Sequence, residues 1–383
     1  MRILHVVPTY LPATRYGGPI QSVHGLCKAL VQQGHEVHVY TSSLDGAGRL
    51  NVPENEPVDL DGVKVWYFRC RWIAVCWLPQ MASALRNSVE AFDAVHLHAV
   101  FLWPTAKAAQ QARRRGTPYV LSPRGMLVPE LIASKSAWRK RLWIRWIERR
   151  NLRAAGAIHL TSSTEAADLR RCGLDLAPMV EIPNGVDWPI SAVRRPRAGE
   201  LLFLGRLSWK KNLTTLVEAL RLIPDARLTL AGPDDEGLWP ALQAQSRTSG
   251  CGDRLRWVGA VNDSQKAELF ARSCALVLPS INENFGNVVV EAMAHGLAVV
   301  LTPGVGVRGV VEACRGGLVA GDATASGIAS ALNSLLADPV AAEEMGQRGS
   351  RHVRLHLSWE RVAKDMVRVY EKCIAESKVM AGA

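Results

Sequence analysis

The chain has 383 residues, 48% of them hydrophobic and 21% charged, with a mean hydropathy of +0.02. That composition belongs to a globular protein of two or three domains. It excludes a disordered chain, a collagen-like repeat and a coiled coil, and no run of ~18 apolar residues is present to span a bilayer. The net charge of +11 is uneven: residues 1–190 hold 23 Lys and Arg against 15 Asp and Glu, the remainder 23 against 20, which points to a phosphate-rich or anionic partner for the first half.

The first seven residues turn polar too quickly for a signal peptide and read as a strand, so a cytosolic protein is expected. The eight cysteines (Cys27, Cys70, Cys76, Cys172, Cys251, Cys274, Cys314 and Cys373) form no CxxC pair and no zinc-spaced cluster. They read as buried thiols in a reducing compartment.

Residues 3–7 are an apolar run, followed by Pro8 and a loop that reaches Gly17-Gly18. Helical spacing over 20–33 (Ile20, Val23, Leu26, Cys27, Leu30, Val31) ends at Gly34, and 36–40 reads as a second strand. Strand, glycine loop, helix and strand make one βαβ unit, and the same logic recurs at 94–97, 119–122 and 157–161. Residues 187–199 change texture, with Pro189, Pro196, Gly199 and three arginines, and a linker is placed at 189–198. The pattern then restarts: strand 201–204, loop 205–212, helix 213–222, and strands at 227–231, 255–258, 276–279 and 299–302. Two doubly wound α/β domains in tandem are predicted, 1–188 and 199–360, with a final helix over 358–378. Ligands of such sheets bind outside the carboxyl ends of the strands.

The residues with chemistry follow strands. Glu283 stands in the loop after strand 276–279, and Phe285-Gly286 opens a helix that carries Glu291. The N–H groups of Gly286, Asn287 and Val288, with the positive end of the helix dipole, make an anion or hydroxyl site. A loop carboxylate beside such donors suits a polyhydroxylated ligand, and Glu291 among apolar neighbours suits a ribose diol. A solvated loop charge and an ordinary helix residue fit the same pattern. Arg206 and Lys211 flank a turn between strand and helix that can aim two cations at one diphosphate, although an exposed basic loop looks the same. Gly17-Gly18 admits close backbone approach, as does a plain turn. His96 and His98 share a strand face. His98 at the strand's end can reach a ligand, while hydrogen-bonded structural histidines and a His-x-His metal pair lacking a third ligand are the other readings.

These residues carry a resemblance. Gly17-Gly18, His98, Pro183-Asn184-Gly185-Val186-Asp187, Gly205-Arg206-Leu207 with Lys211, and Glu283-x-Phe285-Gly286 through Glu291-Ala292-Met293-Ala294-x-Gly296 resemble, in order and spacing, the signatures of the group 1 (GT4-type) retaining glycosyltransferases. The tail, Met345-Gly346, Ser358-Trp359-Glu360 and Tyr370, is similar to theirs. The resemblance implies a GT-B architecture: two Rossmann-like domains facing a central cleft, with 361–383 crossing back to the N-terminal domain. It implies a nucleotide-sugar donor and no metal or other cofactor. Arg206, Lys211 and Gly17-Gly18 would then hold the donor diphosphate, and Glu291 the ribose. Glu283 and Phe285, Gly286, Asn287 and Val288 would hold the sugar. Glu283 and His98 are the catalytic candidates. Three departures stand out: Pro123-Arg124-Gly125 replaces a commoner His-Gly or His-Asp, Asn212 a common glycine, and Gly304-Val305-Gly306 tandem glycines. Arg124 joins His98 on the acceptor side, for an anionic acceptor or the leaving diphosphate.

Physically the proposed chemistry is charge management. Negative charge grows on the leaving diphosphate, and fixed cations and helix-start N–H groups stabilise it. Two cations and a helix dipole make a divalent metal dispensable, and no Asp-x-Asp motif is read that would hold one.

Residues 135–153 hold eight Lys and Arg, with Trp138, Trp143 and Trp146 interleaved and Glu148 the single acid. An ideal helix places Trp138, Leu142, Trp146 and Leu152 on one side, but Arg145, Arg149 and Arg153 with them. Peripheral contact with an anionic membrane and a solvated helix with a packed stripe both fit; no nucleic-acid module accompanies the charge. The expected activity is transfer of a sugar from a nucleotide-sugar to a glycan or polyprenyl-linked glycan, in surface polysaccharide or glycoconjugate biosynthesis at the cytosolic face of a membrane. The alternatives are a GT-B epimerase or hydrolase, and a non-catalytic nucleotide-sugar-binding protein.

Overall fold

The computed structural model describes residues 1–13, 17–134, 136–188 and 194–382, with side chains through 379. Lys135 of the basic segment and 189–193 of the expected linker lie outside them. The chain divides into two compact units: Met1–Gly185 with Trp359–Ala383, and Val186–Ser358.

The first unit is built on a sheet whose described strands run in the order Met179–Glu181, Ala157–Leu160, Tyr119–Ser122, Ala94–His98, Arg2–Val6, Glu36–Ser42, Val63–Phe68, Pro57–Leu60. All pair in parallel except the edge strand Pro57–Leu60, which is antiparallel to its neighbour. That hairpin does not follow from βαβ spacing: its strands are joined by a two-residue turn at Asp61-Gly62, not by a crossover helix. The strands of the parallel part read as near-continuous apolar runs because helices cover both faces; Ile3, Leu4, Val95, Leu97, Val120 and Ile158 are buried.

The final helix, Trp359–Gly382, packs on the helix Gly18–Gln32 and on the sheet of this first unit. Trp359 fixes its start. A Cβ on Gly25 would stand 2.3 Å from the indole, so only glycine lets the ring lie against the helix backbone there. Val362, Met366, Tyr370 and Cys373 continue the buried stripe at helical spacing.

The second unit has a parallel sheet in the order Leu255–Trp257, Arg227–Ala231, Glu200–Leu204, Ala275–Leu278, Ala298–Leu301, Gly317–Val319. Helices Leu213–Arg221 and Asn287–Ala294 pack their apolar faces onto it. Arg194 donates to the carbonyls of Phe270 (3.2 Å) and Ser273 (3.2 Å), fastening the start of this unit to the end of the helix Asp263–Arg272.

All eight cysteines are free thiols. Cys27, Cys70, Cys76, Cys251 and Cys373 are buried as expected, whereas Cys172, Cys274 and Cys314 are only partly buried.

The basic segment is a helix with a defect. Ala137–Trp143 and Arg149–Arg153 are α-helical and Ile144–Glu148 between them is a π turn. The widened turn changes the phase of everything after it. Leu152 consequently leaves the side of Trp138, Leu142 and Trp146: it is fully buried while they point to solvent, correcting the expectation that it shares their side.

Candidate active site

Each sheet has a point where its connections diverge, and loops that carry expected site residues of that unit leave the sheet there. In the second unit it lies between the adjacent strands Glu200–Leu204 and Ala275–Leu278. The loops leaving these two strands therefore meet. Ile281 N–H donates to the Lys210 carbonyl at 2.9 Å, and the Lys211 ammonium pairs with Glu283 Oε2.

Glu283 is positioned from a second side. Its N–H donates to the Gly304 carbonyl and its carbonyl accepts from Gly306, each at 2.9 Å, making a parallel bridge with Val305. A Cβ on Gly304 would stand 2.0 Å from the Ile281 carbonyl oxygen, so this approach needs glycine. Gly304-Val305-Gly306 is thus the splint of the Glu283 loop. Gly286 takes φ 97° and caps the helix Asn287–Ala294, which starts without a side-chain cap. Phe285 is buried and its carbonyl accepts from Val307 at 2.8 Å.

Glu291, one turn into that helix, meets Lys266 of the neighbouring helix at 3.0 Å. Burial lowers the Lys266 pKa, but Glu291 and Asp263 more than offset it and the net shift is upward. Lys266 was not anticipated: it sits in an ordinary amphipathic helix with no local signal. Arg206 is exposed on its loop. The Trp209 N–H donates to Glu236 Oε2 at 3.0 Å, so the acidic run after strand Arg227–Ala231 borders this loop, which sequence spacing did not reveal. Asp234 there uses both oxygens on the N–H groups of Leu238 and Trp239. Asn212 takes φ 55°, a conformation asparagine tolerates, which explains it where glycine is common.

In the first unit the divergence lies between strands Arg2–Val6 and Ala94–His98. Gly17 follows the former and caps the helix Gly18–Gln32 with φ 63°; a Cβ there would meet nothing within 4 Å. His98 ends the latter and is buried, only 2% exposed. Register places His5 opposite His96 and Ser122 opposite His98, and Ser122 meets His159, so four imidazoles, His5, His96, His98 and His159, gather on one sheet face.

Their protons follow from chemistry. Arg124 can only donate, and its Nη2 lies 3.1 Å from His98 Nδ1. His98 therefore carries its proton on Nε2 and donates to His5 Nδ1 at 2.9 Å. His5 is left with a buried Nε2–H that has no partner among the described residues. The Ile182 carbonyl can only accept, so His159 donates to it through Nε2 at 2.9 Å and accepts from Ser122 at 2.9 Å. Ser122 accepts from His96 at 2.8 Å, and His96 accepts from Tyr370 at 2.7 Å.

All four rings are neutral. Burial first, and the Arg124 charge second, holds His5 and His159 down to about 3; His96 and His98 are also pushed well down, burial leading. Arg124 itself sits at φ 56° in a turn fixed by Glu165, which accepts from the Gly125 N–H at 2.7 Å and from Thr161. Its Nη1 reaches Asn184 at 3.0 Å and its Nε is buried without a partner among the described residues.

Sequence reading left the His-x-His pair without a third metal ligand; the fold supplies one, since ring nitrogens of His5, His96 and His98 lie within 4.8 Å of one another. The group does not suit a dication. The nitrogens of His96 and His98 are in hydrogen bonds, and a guanidinium abuts His98. An Asp-x-Asp spacing does occur, at Asp59-Leu60-Asp61, but in the edge hairpin, where Asp59 accepts from Gly62 at 3.0 Å and Asp61 meets His24 at 2.9 Å.

Comparison with known proteins decides the family. A model of the glycosyl transferase 4-like domain matches residues 17–185 and one of the group 1 glycosyl transferases matches 191–352. The alpha-maltose-1-phosphate synthase of Mycolicibacterium smegmatis is 30% identical over 322 residues, covering 76% of this chain and 81% of that protein. The chain belongs to the group 1 glycosyltransferases. Glycogen synthase of Mycobacterium tuberculosis is 28% identical over 97% of this chain and 94% of its own. Among solved structures, Anabaena HepE in complex with UDP and glucose superposes with TM-score 0.74 at 18% identity, over 97% of this chain and 99% of that one. The group 1 transferase fold is GT-B, and the two parallel-sheet units described above are its two halves. In this glycosyltransferase the segment matching the group 1 family contains Arg206, Lys211, Glu283 and Glu291.

Proposed function

We propose that this glycosyltransferase moves a sugar from a nucleotide-sugar, with retention, to a hydroxyl of a glycan or lipid-linked glycan, in assembly of a surface polysaccharide or glycoconjugate. The observation that carries the donor half is the convergence of Lys211 on Glu283 at the divergence point of the second sheet. One ammonium has three donors, enough to hold Glu283 and a phosphate oxygen together. Arg206, exposed on the same loop, adds a forked donor to the diphosphate. Glu283 and the uncapped start of the helix Asn287–Ala294 take the sugar hydroxyls. Glu291, held by Lys266 through Oε2, offers its other oxygen to the ribose diol.

In the step itself the bond from the anomeric carbon to the diphosphate oxygen breaks, and the acceptor oxygen bonds that carbon on the same face. The acceptor's proton passes to the leaving diphosphate. Lys211, Arg206 and the helix dipole stabilise the charge that grows there. Gly17-Gly18 keeps its assignment to the donor diphosphate through backbone approach. On the acceptor side His98, buried with one ring nitrogen on Arg124 and the other on His5, acts by orienting Arg124. A bound UDP in Anabaena HepE supports a uridine nucleotide as the first donor to test.

We also propose that the enzyme works at the cytosolic face of a membrane. No described helix is long and apolar enough to cross one, and Trp138 (67% exposed) and Trp146 (70%) stand among arginines on the first unit, which suits peripheral contact with anionic lipid.

A thermal-shift panel of nucleotide-sugars is the test. A ligand at 100 times its Kd stabilises by ~2.7 kcal/mol, and NMR of the product's anomeric configuration then reads retention. A donor-alone incubation that yields an epimer or free sugar at full rate would refute transfer, and absence of binding by every nucleotide-sugar would refute the donor assignment.

A further inference from the structure

The first unit contains a cavity of about 470 Å³ among the helix Pro129–Ala133, the π turn Ile144–Glu148 and the end of the helix Ser163–Arg171. Its apolar lining is Ile132, Ile144 and Leu174, with the exposed Ala133 at its edge. Its rim carries Arg141, Arg145, Arg149 and Arg171. Arg171 is neutralised, with bonds to Glu130 of 2.7 and 2.8 Å and to Asp168 of 3.0 Å. Arg141, Arg145 and Arg149 meet no carboxylate among the described residues.

Two features make the rim deliberate in physical terms. The first is the π turn. In a regular α-helix, residues spaced by four drift steadily around the axis; the widened turn counters that drift, and Arg141, Arg145 and Arg149 all line the one cavity. The second is Glu148, the only acid of the segment. It is buried, accepting from the Phe101 N–H (2.9 Å), Trp143 Nε1 (2.8 Å) and Asn151 Nδ2 (3.2 Å), and burial raises its pKa. The acid that could compensate the arginines is turned away from them. Lys140 donates to the Leu131 carbonyl at 2.5 Å and ties two walls together.

We infer that this cavity binds a phosphate carried on an apolar chain. Three uncompensated guanidiniums fit a phosphate, a strongly hydrated soluble anion leaves the apolar lining unmatched, and an alcohol or alkane leaves the arginines unmatched. The volume holds a phosphate and a short length of chain. The remaining chain leaves past Trp138, Leu142 and Trp146, exposed on the neighbouring helix stripe. A lipid-linked phosphate and a phospholipid headgroup share this chemistry.

The inference deepens the acceptor half of the proposed function and rests on it only for its biological use. The test is calorimetric titration of the full chain with decyl phosphate below its micelle concentration, with inorganic phosphate and with decanol. Saturable binding of decyl phosphate at least about tenfold tighter than inorganic phosphate is expected. Arg145→Gln with Arg149→Gln should weaken it at least about tenfold, and so should Ala133→Asp at the apolar edge. Equal affinity for inorganic and decyl phosphate, no saturable binding, or no loss in these variants overturns the site. A parallel arm with dihexanoyl phosphatidylglycerol separates the two sources: preference for it identifies a phospholipid headgroup, preference for decyl phosphate a lipid-linked monoester, and either supports the site. Nucleotide titration of the same samples keeps failures apart, because intact UDP binding with no lipid-phosphate binding overturns this inference alone.

Discussion

Lys211 and Glu283 lie 72 residues apart and form an ion pair across two loops that leave adjacent strands. The pair is partly buried, with side chains 18% and 26% exposed. It joins the residue proposed for the donor diphosphate to the one proposed for the sugar, so neither should act alone.

Arg206→Ala and Lys211→Ala are expected to lower kcat/KM by about 2–4 kcal/mol of transition-state stabilisation each, the range found when one charge-stabilising donor is removed. Arg206 is exposed, so its loss should leave thermal stability within about 0.5 kcal/mol. Glu283→Gln with Lys211→Ala should cost less than the two single changes added together, because the residues are in contact. Near-wild-type kinetics in both cation mutants would remove the diphosphate assignment.

Lys266→Met is expected to weaken donor binding although the residue lies outside the family signature. It frees the Glu291 carboxylate to rotate and swing out of line with a ribose. The rise should appear in the donor KM and in the Kd of the nucleotide alone, with kcat nearly unchanged. A change confined to kcat would show that Glu291 acts on the reacting sugar instead.

EDTA should leave the transfer rate unchanged. Two of the three acids in the run bordering the 205–212 loop are in use on backbone N–H groups, Asp234 on Leu238 and Trp239, and Glu236 on Trp209. Initial rates after chelation, with and without added Mg²⁺ or Mn²⁺, decide the point; loss and metal-specific recovery would overturn the cation-loop mechanism.

Stability should fall with pH well above the carboxylate range. The folded-state values of His5 and His159 are depressed from 6.5 to about 3, by burial first. The unfolded chain binds protons below about 6.5 that the folded rings refuse, so the stabilisation is complete above that pH and drains away as the pH falls toward 3. Urea midpoints at pH 7, 6 and 5 should decline, and the decline should flatten in His159→Gln. Equal slopes in the two proteins would mean that these rings do not control acid stability.

Gly25→Ala should destabilise the first unit by about 1–3 kcal/mol through overpacking, since the added methyl collides with Trp359. Trp359→Leu in the same background should recover part of the loss. Independent, additive losses in the denaturant midpoint would show that the indole is not what the methyl strikes.

Much of this was legible along the chain because strand and helix periods and turn residues are local properties. Strands such as 3–7 and 201–204, the glycine loops after them, and the blocks at 205–212 and 283–291 needed no tertiary information. The edge hairpin at 57–68 escaped because its antiparallel pairing breaks the βαβ rhythm. Which residues meet is a different matter. Lys211 reaches Glu283 because Glu200–Leu204 lies beside Ala275–Leu278, and that order depends on how all the crossovers pack. Lys266 and His5 acquired their places in the same way, from a neighbouring helix and a neighbouring strand. The π turn at Ile144–Glu148 depended on tertiary structure too: an α-helical count put Leu152 beside the tryptophans, while burying Leu152 and Glu148 against the first unit's core required one widened turn. Local propensity sets the elements, but sheet order and core packing choose their partners, and the charges in the proposed site take their roles from those partners.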